Sequence, residues 1–300
     1  MRRSLFELAR NILIATTGNG MNRSESVNNL HHKLSYRLHK RLSWFGIQGE
    51  VMLPMPGLPG KHITVDASDG GVAHQFLVYR TYEPYESLLI QQVLEEGMTV
   101  YNIGANIGYY AILSGALVGK EGEVYAFEPS PKNFELLSRN LAQNRLQHVH
   151  AYQKAVSDRD GTLQLFFSAS NSGDHQIFEA EAGRASVEVE TVTLSSFMRT
   201  VEEAPDVIIM DVQGAEFAVL NGFKEYLLSQ TRKPLVIFTE FSPSALIKAG
   251  STPKEFLELI RAAGLSISVI DENKKTTTLV SDQELIATTL GTTEKNLLCR

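Results

Sequence analysis

Thr99-Val-Tyr-Asn-Ile-Gly-Ala-Asn-Ile-Gly-Tyr-Tyr110 is the stretch that decides the fold. An apolar run ends in a glycine turn and leads into a helix. A second apolar run, Glu123-Val-Tyr-Ala-Phe127, then delivers a carboxylate at Glu128, twenty-four residues after Gly104. A Rossmann-like sheet holds an adenosine this way, with close backbone approach after one strand and the ribose hydroxyls on an acid after the next. The glycines read Gly104-x-x-x-Gly108 and not G-x-G-x-x-G, so the pyrophosphate cradle is missing while the ribose acid remains. An adenosine ligand without a pyrophosphate points to S-adenosylmethionine and away from a nicotinamide-dependent oxidoreductase.

Outward from this stretch the pattern alternates. A helix is expected over 83–95, stopped at Gly97, followed by strands at 98–103, 123–127 and 148–153. Helices start near 107 and at Pro129/Pro131, short strands fall within 162–167 and 185–194, and further strands lie at 207–211 and 235–240. A helix near Gly214, another over 253–263, a strand at 266–270 and a last strand in 294–299 close the unit. Strands alternating with helices predict a three-layer α/β/α sandwich. Residues 51–65, with Pro54, Pro56, Gly57, Pro59 and Gly60, read as a turn-rich connector. The expected division is a helical arm and connector over 1–80 and a catalytic domain over 81–300.

Composition is that of an ordinary globular chain of 300 residues, 43% hydrophobic and 21% charged, which suffices for one large core. The net charge of -6 argues against a general nucleic-acid binder but hides an asymmetry. Residues 1–45 carry eight Lys/Arg against Glu7 and Glu25. Leu30, Leu34, Leu38 and Leu42 recur at four-residue spacing among basic residues, an amphipathic basic helix over 28–44. Such an arm suits RNA, anionic lipid, a neighbouring subunit in a homo-oligomer, or plain solvent. Glu7 and Arg10 interrupt the apolar start, so an amphipathic helix is expected there rather than a signal peptide. No stretch reaches transmembrane length. The single Cys299 excludes an intrachain disulfide and a thiolate zinc cluster, which fits a cytoplasmic location.

Glu128, Asp211 and Glu240 each close an apolar strand run, at the sheet edge where α/β folds bind ligands. One such acid is commonly a helix cap; three beside a glycine loop read as a site. His175, in the polar loop Ser170-Asn-Ser-Gly-Asp-His175, is a further candidate because imidazole titrates near neutrality. Tyr82-Glu-Pro-Tyr-Glu86, just upstream of the core, is placed either to overlie the site with acids and hydroxyls or to start an ordinary helix.

The chain resembles the FkbM family of S-adenosylmethionine-dependent methyltransferases, a branch of the class I methyltransferase fold, over residues 80–300. The resemblance rests on Tyr101-Asn-Ile-Gly-Ala-Asn-Ile-Gly-Tyr109, Val124-Tyr-Ala-Phe-Glu-Pro-Ser-Pro131 with Asn133-Phe-Glu-Leu-Leu137 and Asn140, Lys154-Ala-Val-Ser-Asp158, and Ile209-Met-Asp-Val-Gln-Gly-Ala-Glu216 with Leu220 and Gly222. It implies a seven-stranded sheet with the last strand antiparallel, and O-methylation of a hydroxyl on a sugar, glycan or secondary metabolite. Asn102, Gly104, Ala105, Asn106 and Gly108 are then expected at the cofactor loop, Glu128 at the ribose, and Asp158 near the adenine. Asp211 with Glu216 is expected by the transfer site. Asn102 stands where the family usually has Asp, and Gln213 where it usually has Glu. Neither carries a negative charge, and Gln213 can be neither a base nor an ionic metal ligand.

A sugar hydroxyl is a poor nucleophile at neutral pH, so a base or a metal is expected. Asp211 is the first choice for the base, then Glu240, then His175. The same three side chains are also the set that would gather one Mg²⁺. RNA methylation is the enzymatic alternative, supported by the basic arm and by Tyr109 and Tyr110. A non-catalytic S-adenosylmethionine-binding protein is the other alternative, suggested by Asn102 and Gln213.

Overall fold

The computed structural model describes residues 2–17, 33–168, 171–178, 183–229, 233–289 and 294–300. The loop expected at 20–27 and the start of the basic helix expected over 28–44 lie outside these residues; 33–39 are helical and 40–46 turn. The strands are β1 (Glu50–Pro54), β2 (His62–Asp66), β3 (Thr99–Ile103), β4 (Glu123–Phe127), β5 (Val149–Tyr152), β6 (Ala155–Val156), β7 (Gly161–Phe166), β8 (Ser186–Val192), β9 (Val207–Met210), β10 (Val236–Phe241), β11 (Ile267–Asp271), β12 (Thr276–Leu279) and β13 (Lys295–Cys299).

Eight of them form the central sheet in the order β12-β11-β13-β10-β9-β3-β4-β5. The run from β10 to β5 is parallel, and β13 is antiparallel to both β10 and β11. The last strand is therefore antiparallel, as expected. The sheet has eight strands rather than seven because Thr276–Leu279 turns back as a hairpin on β11. Three of its four residues are exposed threonine and leucine, so no apolar alternation advertises it.

Side chains along the buried strands alternate strictly between two cores. Val100, Val124, Ala126, Val207 and Ile209 join one core with the Tyr109–Val118 and Pro131–Gln143 helices. Tyr101, Tyr125, Phe127, Ile208 and Met210 join the other with the Leu194–Val201 and Pro253–Ala262 helices. A period of two with both faces apolar is what a sheet covered on both sides requires. Phe127 packs edge-on to Phe197 at 4.7 Å, one contact in an aromatic layer whose members are each worth about 1.5–3 kcal/mol of burial. The Pro253–Ala262 helix begins with a capping box between Thr252 and Glu255.

Over the turn-rich residues 51–65 the chain forms a hairpin. β1 and β2 pair across the Pro/Gly turn, and Ile63 and Val65 are fully buried in the first core. Asn140 of the Pro131–Gln143 helix fastens this hairpin: its Oδ1 accepts from Thr64 N at 2.8 Å and its Nδ2 donates to Ile107 O at 2.8 Å. One buried amide thus couples the hairpin to the loop after β3. Phe6, Leu42 and Phe45 join the same core. The Arg2–Thr17 helix is amphipathic, with Phe6 and Leu13 inward and Leu5, Leu8 and Ile12 exposed. No described helix is long and apolar enough to cross a membrane.

Candidate active site

The chain runs outward from β3 through β4 to β5, then crosses back to β9 on the other side of β3. Helices leave β3 and β9 on opposite faces, opening a crevice at their carboxyl ends. Gly104 closes its floor. It has φ +77°, and a Cβ there would sit 1.9 Å from the Asp211 carbonyl oxygen. Only glycine allows the two strand ends to meet this closely. Gly108, with φ +99°, starts the Tyr109–Val118 helix against Leu137, outside the cavity lining.

The cavity at this crevice is lined by Asn102, Gly104, Ala105, Asn106, Glu128, His175, Asp211 and Glu240, joined by Tyr82, Glu83, Glu86, Tyr109, Tyr110 and Gln213. Glu83 (φ 37°), Asn106 (φ 49°) and Gln213 (φ 51°) hold left-handed backbone without being glycine, and all three line it. Such strain gathers at sites where side chains must be aimed.

Glu128 is buried at the end of β4. Its Oε2 accepts from Asn106 N at 2.8 Å and its Oε1 from Ser130 N at 2.9 Å. Burial pushes its carboxyl up to about 7, against the pull of these backbone donors. The Asn133 side chain is a third donor to this carboxylate, whose remaining acceptor capacity is left for a ribose hydroxyl. Asn102 is 2% exposed; its Nδ2 lies 3.4 Å from Ile209 O, and its Oδ1 has no partner. A buried orphan acceptor on a cavity wall calls for a ligand N–H or O–H. The glycine floor, the orphan Asn102 acceptor and buried Glu128 fit an adenosyl group with an amine at its far end.

Asp211 and Glu240 face each other across Gln213. The Gln213 amide donates to Asp211 Oδ1 at 2.7 Å and to Glu240 Oε2 at 3.3 Å. Burial raises the Asp211 carboxyl to about 6, the Gln213 bond opposing it, and burial, with Asp211 beside it, also holds Glu240 well above the usual carboxylate range. Glu83 reaches about 7, chiefly through burial and despite the hydroxyl that Tyr110 donates to it.

Not every expected residue is here. Glu216 is 1% exposed and outside the lining; its Oε1 accepts from Val212 N at 3.3 Å and Gly214 N at 3.1 Å, bracing the turn that carries Gln213. Asp158 is exposed and also outside; Lys154, Ala155 and Val156 form that wall instead. The chain bends inward at β6 and has left the cavity by Asp158. His175 lines the cavity, but its Nδ1 accepts from Ser168 N at 3.2 Å. Burial lowers its pKa, so the neutral ring carries its proton on Nε2 and keeps no lone pair for an acceptor hydroxyl.

The Mg²⁺ set drawn from Asp211, Glu240 and His175 does not form. An amide donor stands between the two carboxylates, and no group of three or more His, Cys, Asp or Glu is placed to hold a metal among the described residues. Glu83 and Glu86 are the acids that strand-end reasoning missed. Helix packing brings them in: Glu272 accepts from Glu86 N at 2.7 Å, and Asn296 of β13 donates to the Glu86 carboxylate. The Tyr82–Glu86 motif was the one local sign.

The Methyltransferase FkbM domain matches residues 102–267, more than half of the chain and all four strand ends that build the crevice. The chain belongs to this family of S-adenosylmethionine-dependent methyltransferases. Among its relatives, Methyltransferase sdnD of Sordaria araneosa is 28% identical over 178 residues, 49% of this chain and 68% of that protein. Hexuronic acid methyltransferase AglP of Haloferax volcanii is 26% identical over 188 residues, 62% of this chain and 71% of that protein. The 2-O-methyltransferase NoeI of Sinorhizobium fredii is 28% identical over 178 residues, covering 54% and 70%.

Proposed function

We propose that this chain transfers a methyl group from S-adenosylmethionine to a hydroxyl oxygen of a carbohydrate or similarly hydroxylated metabolite, with residues 81–300 as the catalytic unit. The observation that carries the reading is the Asp211–Gln213–Glu240 group beside the Gly104 loop, lining the same cavity at the carboxyl ends of the strands. The names of two relatives, a hexuronic acid methyltransferase and a 2-O-methyltransferase, agree with an oxygen acceptor on a sugar.

When bound, the cofactor supplies a methyl group on an already activated sulfonium. The protein's work is alignment, exclusion of water and removal of one proton. Glu128 would hold the ribose, the Gly104-Ala105-Asn106 loop would border the methionine portion, and Asn102 Oδ1 would accept from its amine. Asp211 takes the acceptor proton on Oδ2, since Gln213 occupies Oδ1. A carboxyl at about 6 is ionised at neutral pH and remains a stronger base than a surface aspartate. Glu240, held nearer its protonated form, hydrogen-bonds the acceptor.

The test is radiolabelled methyl transfer from S-adenosylmethionine across sugars, glycosides and hydroxylated metabolites, with Asp211→Asn beside the native chain. Alkali-stable incorporation on oxygen that falls at least about a hundredfold in Asp211→Asn supports the reading. Incorporation on nitrogen, or unchanged turnover in the variant, contradicts it.

A further inference from the structure

The acceptor side of the cavity is rich in acids and poor in cations. Glu83, Glu86, Asp211 and Glu240 line it, and Lys154 is its one lysine or arginine among the described residues. Lys154 belongs to the opposite wall, at β6, and pairs with Glu190 at 2.9 Å. Glu83 and Glu86 lie at the start of the Pro84–Val93 helix. Tyr110 hydroxyl donates to one and the Asn296 amide to the other, both neutral groups. Among the described residues these two neighbouring carboxylates have no counter-charge, and burial pushes both up, Glu83 to about 7 and Glu86 well above the usual carboxylate range, so a ligand cation against them is what would hold them ionised.

The rings beside them are all tyrosine. Tyr82, Tyr109 and Tyr110 line the cavity with centroids 5.2 Å apart for Tyr82–Tyr109, 5.9 Å for Tyr82–Tyr110 and 5.1 Å for Tyr109–Tyr110. Aromatic walls with carboxylates attract ammonium groups.

We propose that Glu83 and Glu86, with the ring wall of Tyr82, Tyr109 and Tyr110, form a cation subsite, so that the methyl acceptor is an amine-bearing hydroxyl compound such as an amino sugar. The ammonium lies against Glu83 and Glu86 while the hydroxyl reaches Asp211. This rests on the methyltransferase reading and narrows it. An anionic sugar such as a hexuronate would meet four acids here, so on this point the chain departs from the hexuronic acid methyltransferase it resembles.

The test is calorimetry on the full chain saturated with S-adenosylhomocysteine, using two pairs of probes that differ in charge. These are glucosamine against N-acetylglucosamine, and choline against its uncharged isostere 3,3-dimethylbutan-1-ol; glucuronate is the anionic control. The cationic member of each pair is expected to bind about tenfold more tightly, and glucuronate not at all. In Glu83→Gln/Glu86→Gln the preference falls to within about twofold while S-adenosylhomocysteine affinity holds. Gln retains a carbonyl for the Tyr110 and Asn296 donors, and the native comparison stands without the variant. Equal binding within both pairs, no binding of either cation, or tightest binding of glucuronate overturns the subsite. Failure of S-adenosylhomocysteine to bind strikes the methyltransferase reading instead, and the choline comparison is then read on the free chain.

Discussion

The side-chain amide of Gln213 sits 2.7 Å from Asp211 Oδ1, so a neutral donor stands where an acid would crowd the Asp211 carboxylate. Burial drives the Asp211 carboxyl up to about 6, and the Gln213 bond is the chief force holding it down. Gln213→Met removes that donor at similar volume. The protonated form of Asp211 is then favoured, and the acid limb of the kcat profile moves up by about one pH unit. Gln213→Glu moves it further. A pH–rate profile unmoved in both variants shows that Asp211 is not the group being titrated.

Gly104 gives the backbone its second constraint. Alanine there must adopt φ +77° and place its Cβ 1.9 Å from the Asp211 carbonyl oxygen. Gly104→Ala is expected to lose about 3 kcal/mol in urea denaturation and all measurable cofactor binding. A variant of native stability and affinity means that β3 and β9 do not meet as described.

Glu216 separates structural from chemical carboxylates. Its folded carboxyl stands at about 7 through burial, against an ordinary 4.5. The folded state keeps this proton where the unfolded chain releases it, so stability falls as pH rises from 4.5 to 7 and the loss is complete above that. Glu216→Gln still accepts from Val212 N and Gly214 N but carries no charge. It should gain about 3 kcal/mol at pH 8 and nothing near pH 4.5, with turnover kept. Urea melts at the two pH values check this, and lost turnover in a stable variant restores Glu216 to the chemistry.

The parts of this molecule legible in the sequence are those that depend on neighbours along the chain. Thr99–Tyr110 and Glu123–Glu128 announce strand, turn and acid because each element is short and buried on both faces. Asp211 and Glu240 could be placed at the same edge by the same reasoning. The β1–β2 hairpin is hidden because its Pro/Gly turn outweighs two short strands, which are buried by a core assembled from distant elements and bonded by Asn140 of a distant helix. Glu83 and Glu86 were foreshadowed only as a motif, since their approach to Asp211 depends on Glu272 and Asn296 far along the chain. Asp158 stands a few residues beyond the cavity: the strand after β5 turns inward for two residues only, and Lys154–Val156 line the wall.

Binding of S-adenosylmethionine, measured by isothermal titration calorimetry on the native chain and on Glu128→Ala, tests the central claim most directly. The account predicts one site per chain, no heat with NAD, and an affinity at least about tenfold weaker in the folded variant, because the ribose hydroxyls lose a buried carboxylate. A native chain that is folded yet binds no S-adenosylmethionine, or a Glu128→Ala chain that binds it undiminished, contradicts the account.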